Sequence, residues 1–233
     1  MPVEAVAALA AGDLEVIERM PWASNATFLG RLVESDTLVV YKPCAGERPL
    51  WDFPSGSLAG REVAAFEVSA ASGWDIVPPT VMRDGPFGPG MVQLFVDHDP
   101  DEHYLELRDR YADRFREFAA FDAVVNNADR KAGHCLLDGD GHVWGIDHGV
   151  TFHVHHKLRT VIWDFAGERL ADSVREGLER IGREVAAGEL RARLATLLHG
   201  MEIDALGARV AAVLEDGVMP FPQGDYPYPW PLI

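Results

Sequence analysis

Cysteine is almost absent from this 233-residue sequence, which has Cys44 and Cys135 far apart and no C-x-x-C spacing. A disulfide-stapled secreted domain and a cysteine-based zinc site are therefore disfavoured. The chain also lacks any run of about 20 apolar residues, the length that a membrane-spanning helix needs. Glu4 lies where a secretory signal would carry positive charge, so we expect no targeting segment and a cytoplasmic protein.

Basic residues are also few. The chain has 21 Lys and Arg against 37 Asp and Glu, a formal net charge of −16 with His neutral. An acidic surface repels phosphate backbones and anionic lipid head groups, so we expect no nucleic-acid partner and disfavour docking to a membrane. With 48% hydrophobic residues, the composition is that of an ordinary globular protein with a sizeable core.

The apolar pattern predicts an α+β fold in two parts, a β-rich part with one helix over residues 1–96 and a mostly helical part over 97–233. In the first part it predicts one helix, Arg61–Ser72, and five strands: Leu14–Met20, Thr27–Val33, Thr37–Tyr41, Thr80–Arg83 and Met91–Val96. In the second it predicts helices over Glu102–Val125, Leu170–Val185, Leu190–Leu198 and Ile203–Leu214, with a hairpin, Cys135–Leu137 and Val143–Ile146, after the first of them.

The C-terminal stretch Pro220–Pro231 alternates proline with tyrosine and tryptophan. We expect it to lie extended over an apolar groove, because Trp230, Leu232 and Ile233 would otherwise be exposed. A disordered tail is the alternative.

Two carboxylates flank the predicted hairpin. Asp129 follows the long helix in a polar loop, and Asp147 leaves the second strand between Gly145 and Gly149. Carboxylate oxygens suit Mg²⁺, which keeps waters and substrate phosphates in its other positions. The alternative is purely structural: Asp129 pairs with Arg130, and Asp147 forms an Asx turn.

Lys42 ends an apolar strand and is followed by Pro43, while Glu62 lies near the start of the next helix. A strand lysine paired with a helix glutamate holds the phosphates of ATP in protein-kinase-like enzymes. Either residue alone would more simply be a solvated surface charge. The order of lysine, glutamate, apolar strand, aspartate, hairpin and aspartate favours the first interpretation.

Six segments resemble, in order, the signatures of the phosphatidylinositol 3-/4-kinase superfamily, nearest its type II phosphatidylinositol 4-kinase branch and as a short bacterial-type member. They are Lys42-Pro43, the helix around Glu62, Ile76–Thr80, Gln93–Val96, Asn127–Arg130 and Ile146–Gly149. The resemblance runs from about residue 24 to about residue 165. It implies a two-lobed protein-kinase-like fold with the nucleotide between the lobes.

The resemblance also implies site roles. Lys42 would contact the ATP phosphates, with Glu62 orienting it; Asp129 would be the catalytic carboxylate, and Asp147 would ligate Mg²⁺. Other residues would bind the nucleotide: Ser24 and Asn25 at the phosphate-covering turn, which lacks the glycines of a G-x-G-x-x-G loop, and Gln93, Leu94, Phe95 and Val96 at the hinge, where the backbone of 94–96 reads adenine.

His134 departs from the family pattern, which has asparagine as a second metal ligand at this position. Nitrogen donors suit Mn²⁺ and other transition metals better than Mg²⁺. The site would therefore prefer Mn²⁺, bind one metal instead of two, or have lost phosphoryl transfer. Alternatively, His134 hydrogen-bonds Asp129 or a phosphate.

The segment His153–Arg159 is the densest histidine cluster of the chain. A zinc site is disfavoured, because the segment has no partner cysteine and adds cations. The family places its activation or substrate loop here, so Lys157 and Arg159 would form a local anion pocket for an acceptor.

The sequence therefore predicts an atypical kinase that moves the γ-phosphate of ATP, with Mg²⁺ or Mn²⁺, to a hydroxyl of a protein or small-molecule acceptor. The alternatives are a nucleotide-binding regulatory pseudokinase with little turnover, an AMP transferase on the same fold and, more remotely, a metal-dependent hydrolase built on the histidines.

Overall fold

The computed structural model describes residues 3–21 and 25–233. It confirms the α+β class. The first part of the chain forms a five-stranded antiparallel sheet in the order β1-β2-β3-β5-β4. Its strands are β1 Leu14–Arg19, β2 Phe28–Leu32, β3 Thr37–Pro43, β4 Thr80–Gly85 and β5 Gly88–Leu94. Because β5 ends at Leu94, Phe95 and Val96 lie beyond the sheet rather than in its last strand.

Two helices accompany this sheet, whereas the sequence predicted one. Helix α1, Val3–Ala11, is a nine-residue alanine-rich segment that was missed. Such a short helix is marginal alone and depends on tertiary packing. Leu9 supplies that packing, since it is buried against Leu32, Val39 and Val81 of the sheet.

Helix α2, Leu58–Ser72, is the predicted helix, beginning three residues earlier than expected. Its N-terminus is capped by a side chain outside the helix: the Glu47 carboxylate accepts the N–H groups of Leu58 at 3.1 Å and Ala59 at 2.9 Å. A cap of this kind contributes about 1 kcal/mol. Gly73 ends the helix in the left-handed region, with φ 74°.

The second part is mainly helical. Its helices are α3 Tyr104–Leu107, α4 Ala112–Val125, α5 Asp172–Ala187, α6 Glu189–Leu194 and α7 Gly200–Asp216, and a hairpin of β6 Cys135–Leu137 and β7 Val143–Gly145 follows α4. The predicted helix over Glu102–Val125 is broken, because Tyr111 takes φ −123° and ψ 35°. No helix of the described residues has the length and apolar character to cross a membrane.

The main core joins α2 to the second part of the chain. Val68 of α2 is fully buried in one cluster with Phe118 of α4, Ile181 of α5 and Leu206 of α7. This shared core sets the position of α2, and with it Glu62, relative to the hairpin. The proposed domain boundary at residues 96 and 97 stays a prediction.

The C-terminal stretch is extended, as expected, but its aromatic residues do not hold it. Trp230 is 88% exposed, so the expectation that packing would cover it was wrong. The backbone is the anchor instead: the carbonyl of Pro227 accepts the N–H of Thr160 and the indole N–H of Trp163, both at 3.1 Å. A proline-rich segment has few N–H groups, so its carbonyls make the contacts.

Candidate active site

Three charged side chains from distant parts of the chain meet at one ammonium group. Lys42 Nζ, near the end of β3, lies 2.6 Å from Glu62 Oε1 of α2 and 2.9 Å from Asp147 Oδ1, just after β7. The structure thus brings together the lysine, the glutamate and one of the two aspartates that the sequence singled out.

Burial differs sharply among the three. The Glu62 side chain is 2% exposed, that of Lys42 20% and that of Asp147 49%. The second Glu62 oxygen accepts the backbone N–H of His148 at 2.7 Å. Burial raises the pKa of Glu62, and Lys42 opposes that rise. Lys42 therefore neutralises an inaccessible carboxylate on one side and an accessible one on the other.

Asp147 is held ionised. Attraction to Lys42 is the largest cause that lowers the pKa of Asp147, while burial opposes it. For Lys42, burial lowers the pKa, but the attraction of Asp147 and Glu62 is together stronger and raises it overall. At neutral pH the accessible carboxylate is thus available to a cation, and the ammonium beside it can attract phosphate groups.

The backbone around Asp147 is specialised. Asp147 has φ 62°, in the left-handed region that few non-glycine residues adopt. Gly145 is required two residues earlier, because a Cβ there would lie 2.9 Å from Phe118 and 3.0 Å from Ile76. The Gly145 N–H also donates to the carbonyl of Ile76 at 2.7 Å, which fixes β7 against the segment before β4.

A buried ion pair fixes the loop that carries Asp129. Arg130 and Asp122 are both fully buried, with Arg130 Nε 3.0 Å from Asp122 Oδ2 and Nη1 3.0 Å from the carbonyl of Ile146. Arg130 thus pairs with Asp122 and not with Asp129. Sequence reasoning missed Asp122; the signal was an acidic residue among the apolar residues near the end of a helix.

Asp129 takes no part in that ion pair, and its side chain is accessible. Its carboxylate is 32% exposed and lies 3.1 Å from Lys131 Nζ. Its backbone N–H donates to Asn127 Oδ1 at 3.0 Å, which orients the turn. Burial raises the pKa of Asp129 and Lys131 opposes that rise.

Two cavities meet at Lys42. One, of about 300 Å³, is lined by Asp129, Glu62 and Gly149 among others, and the second, of about 430 Å³, by Gln93, Leu94, Phe95 and Val96 with apolar side chains of both parts. Four residues line both cavities: Asn25, Lys42, Lys131 and Asp147. The predicted hinge and the predicted catalytic carboxylate therefore lie on opposite sides of the Lys42–Asp147 pair.

The structure reduces the number of backbone N–H groups in the predicted hinge that a ligand could accept from. The N–H groups of Leu94 and Phe95 already donate to the carbonyls of Pro79 at 2.9 Å and Leu38 at 3.0 Å. The Gln93 side chain is buried and donates to Thr80 Oγ1 at 2.8 Å. Among the described residues the N–H of Val96 finds no acceptor, so it is the hinge donor left for a ligand.

Of the two residues predicted to cover the phosphates, Ser24 lies outside the described residues. Asn25 lines both cavities, and its Oδ1 accepts the backbone N–H of Arg48 at 2.8 Å. The side-chain oxygen of Asn25 is thus already hydrogen-bonded to the segment that follows β3.

His134 lies beside Asp147, with Nε2 3.5 Å from Asp147 Oδ2. Burial lowers the pKa of His134 to about 4, so the ring is neutral at pH 7. Nδ1 lies 3.4 Å from the Lys131 N–H, which favours the tautomer with its hydrogen on Nε2. That tautomer donates a hydrogen bond; the other tautomer would offer Nε2 to a metal.

The donor chemistry of this site suits a metal that shares its ligands with phosphate. Within residues 3–21 and 25–233, no three His, Cys, Asp or Glu side chains group closely enough to hold an ion by themselves. Mg²⁺ needs only one or two carboxylates when phosphates and waters complete its shell, and Asp147 meets that need.

Lys157 and Arg159 lie apart from both cavities. Lys157 Nζ is 2.7 Å from Asp52 Oδ2 and lies over the Trp51 ring at 5.1 Å, while Arg159 is exposed. Asn126, in the left-handed region, ties their segment down by donating to the carbonyls of His153 and His155. Neither side chain lines either of these cavities, and the acceptor-binding role of both stays a prediction.

The model of the family described as Phosphatidylinositol 3- and 4-kinase matches residues 81–169. Protein Rv2133c of Mycobacterium tuberculosis (strain ATCC 25618 / H37Rv) is 42% identical over 262 aligned positions that cover 97% of this chain and 94% of that protein.

Among solved structures, the crystal structure of a Helicobacter pylori proinflammatory kinase, CtkA, matches with a TM-score of 0.57 at 10% identity, over 91% of this chain and 94% of that one. At that identity the likeness concerns the fold, and it confirms the two-lobed protein-kinase-like architecture. The type II branch stays a prediction. On the family model and on a relative that matches nearly its whole length, the chain belongs to the phosphatidylinositol 3- and 4-kinase family.

Proposed function

We propose that the protein is an ATP-dependent phosphotransferase that moves the γ-phosphate to an acceptor hydroxyl. The observation that carries the proposal is the position of Lys42, held between Glu62 and Asp147 where the two cavities meet. An ammonium so placed can bind phosphates that run from the hinge side to the Asp129 side.

On the hinge side, the adenine would accept a hydrogen bond from the free N–H of Val96. Val40 of the sheet and Leu136 and Ile146 of the hairpin would cover its two faces, since all three line the larger cavity. Lys42 would then bind the phosphates while Glu62, which does not reach solvent, keeps its ammonium in place.

At the junction, Asp147 would hold Mg²⁺ or Mn²⁺, with His134 beside it. When bound, the metal neutralises charge on the β- and γ-phosphates during transfer. Asp147 is suited to this because it is ionised and about half exposed. Lys42 contacts Oδ1 of Asp147, while Oδ2 of Asp147 lies toward His134.

On the other side, Asp129 would orient the acceptor hydroxyl and take its proton as the new oxygen–phosphorus bond forms and the bond to the leaving ADP breaks. The raised pKa of Asp129 suits a general base better than an ordinary carboxylate does. A protein side chain or a small molecule would enter the 300 Å³ cavity. An anionic acceptor would meet Lys131 and Arg48 there, since these line it and Lys157 and Arg159 do not.

A second function, a nucleotide-binding regulatory protein with little turnover, is favoured by one observation. His134 replaces the family's metal-binding asparagine, and its Nδ1 contact favours a tautomer that cannot ligate through Nε2. A site of this kind could bind ATP and one metal without completing transfer.

The test is titration calorimetry with ATP in Mg²⁺ and then Mn²⁺, with ADP, AMP and phosphate measured in the same samples. Wild type, Asp147→Asn and Asp129→Asn are compared with Asp140→Asn, which removes an exposed carboxylate that lines neither cavity. We expect metal-dependent binding in wild type and Asp140→Asn, at least tenfold weaker binding in Asp147→Asn, and slow ADP release that Asp129→Asn abolishes.

The other results separate the alternatives. Binding without any product selects the regulatory protein, and AMP with pyrophosphate selects AMP transfer. No binding with either metal refutes nucleotide-dependent function altogether.

A further inference from the structure

The end of the described chain reaches the nucleotide cavity. Ile233 lines the same 430 Å³ cavity as Val96 and Val40, and its Cγ2 approaches Gly133, where a Cβ would lie 3.9 Å away. Gly133 belongs to the 3₁₀ turn Ala132–His134, so Ile233 lies next to the turn that carries His134.

The segment that delivers Ile233 is tied down at two places. The carbonyl of Leu232 accepts the N–H of Ala132 at 2.8 Å, and the carbonyl of Pro227 accepts the N–H groups of Thr160 and of the Trp163 indole. Pro229 between these points is buried. The position of Ile233 is thus set by hydrogen bonds to the same part of the protein that carries Asp129.

An apolar side chain in this place has a use. Ile233 remains 61% exposed although it lies in the cavity, so apolar surface is left for a ligand to cover. With Ile233 in position the cavity still measures about 430 Å³, within the usual range for small-molecule sites. Ile233 therefore lines the space and does not fill it.

We propose that Ile233 is a nucleoside-binding residue, an apolar wall for the adenosine part of the nucleotide, and that residues 227–232 position it. This inference rests on the proposed nucleotide function. Since the Ile233 side chain adds apolar surface and no charge, its contribution concerns the nucleoside and not the phosphates.

The test measures binding of three probes by calorimetry with Mg²⁺: ATP, adenosine and inorganic triphosphate. Ile233→Ala removes the apolar wall, Ile233→Leu restores its bulk, and Trp230→Ala is the matched control, a large change in the same tail at a residue that does not line the cavity. Trp163→Phe removes the indole N–H that holds Pro227 while keeping an aromatic ring.

We expect Ile233→Ala to weaken ATP and adenosine by about fivefold, the effect of about 40 Å² of apolar contact, and to leave triphosphate unchanged. Ile233→Leu and Trp230→Ala should bind as wild type does. Trp163→Phe should weaken ATP too, and combining it with Ile233→Ala should add nothing, because both remove the same wall.

Unchanged ATP binding in Ile233→Ala, with wild type binding normally, overturns this inference and leaves the proposed function standing. So does an equal loss for triphosphate, which would mean a general disturbance of the site. Tighter ATP binding in Ile233→Ala would show that the tail obstructs the cavity. If wild type binds neither ATP nor adenosine, the proposed function and this inference fail together.

Discussion

Replacing Lys42 with methionine should separate the stability of the active site from its chemistry. The substitution removes the ammonium between Glu62 and Asp147. Among the described residues it leaves Glu62, 2% exposed, with the His148 N–H as its remaining partner. Asp147 loses the same ammonium but is 49% exposed, so water can replace it.

The burial of each partner sets the magnitude. Breaking a buried ion pair by removing one member costs about 3–5 kcal/mol, and we expect about 3 for Lys42→Met because Glu62 can take up a proton. Asp147→Asn leaves the buried pair intact and removes an ion pair that solvent screens, so it should cost less than about 1 kcal/mol. Both changes should weaken ATP binding at least tenfold.

The pH dependence follows from Glu62. Burial raises its pKa, and without Lys42 nothing charged opposes that rise, so in Lys42→Met the folded pKa lies above the unfolded value. A carboxyl group whose pKa is raised in the folded state contributes to stability at low pH. That contribution is lost as the pH increases through the folded pKa. The deficit of Lys42→Met relative to wild type should therefore shrink when unfolding is measured at pH 5 instead of pH 8.

The assay is urea unfolding followed by tryptophan fluorescence, alongside ATP titration. Lys131→Met is the matched control, since Lys131 lines both cavities and pairs with Asp129, which is 32% exposed; it should cost less than about 1 kcal/mol. Adding Glu62→Gln to Lys42→Met should recover most of the lost stability, because an amide still accepts from His148 without a charge.

Two results would refute this reasoning. Equal destabilisation by Asp147→Asn and Lys42→Met would mean that the exposure of Asp147 does not screen its pair. A Lys42→Met protein as stable as wild type at pH 8 would mean that Glu62 is not a buried carboxylate that needs its lysine.

Two further predictions concern the surrounding structure. Gly177→Ala should destabilise the protein by about 2–4 kcal/mol in urea unfolding, despite the better helix propensity of alanine, because its Cβ would overlap the Trp74 ring. Gly182→Ala, on the same helix, should be neutral or stabilising. Equal effects of the two substitutions would contradict the packing argument. Labelling with a thiol reagent at pH 8 should modify Cys44 slowly and leave Cys135 unmodified until the protein unfolds, because burial raises the pKa of Cys135 to about 12. Early modification of both thiols would contradict this prediction.

Elements with strong local patterns were predicted well. Helix α2 and the strands that carry the hinge and Lys42 came from apolar spacing and turn residues, which act over a few residues. Helix α1 was missed because nine alanine-rich residues have little pattern of their own and depend on Leu9 packing against the sheet. The break at Tyr111 was missed because the apolar spacing continues across it.

Contacts between distant side chains were predictable where the order of motifs along the chain carries information. Lys42, Glu62 and Asp147 were identified from that order, and the structure places all three in contact. Lys157 and Arg159 were selected from their position in the family's substrate loop and from their charge, and neither property tells that Lys157 pairs with Asp52. An acidic residue among apolar helix residues marks Asp122 as unusual, but it does not identify Arg130 as the partner.

The sequence by itself determined the class of fold, the family and the chemical types at the site, because periodicity and turn chemistry are properties of neighbouring residues and motif order is written along the chain. The tertiary structure alone decided that Glu62 is buried while Asp147 is open, that Val96 of the predicted hinge keeps an unpaired N–H within the described part of the chain, and that Ile233 returns to the larger cavity. Those outcomes depend on contacts between segments far apart in the chain, whose distances and burial no local pattern specifies.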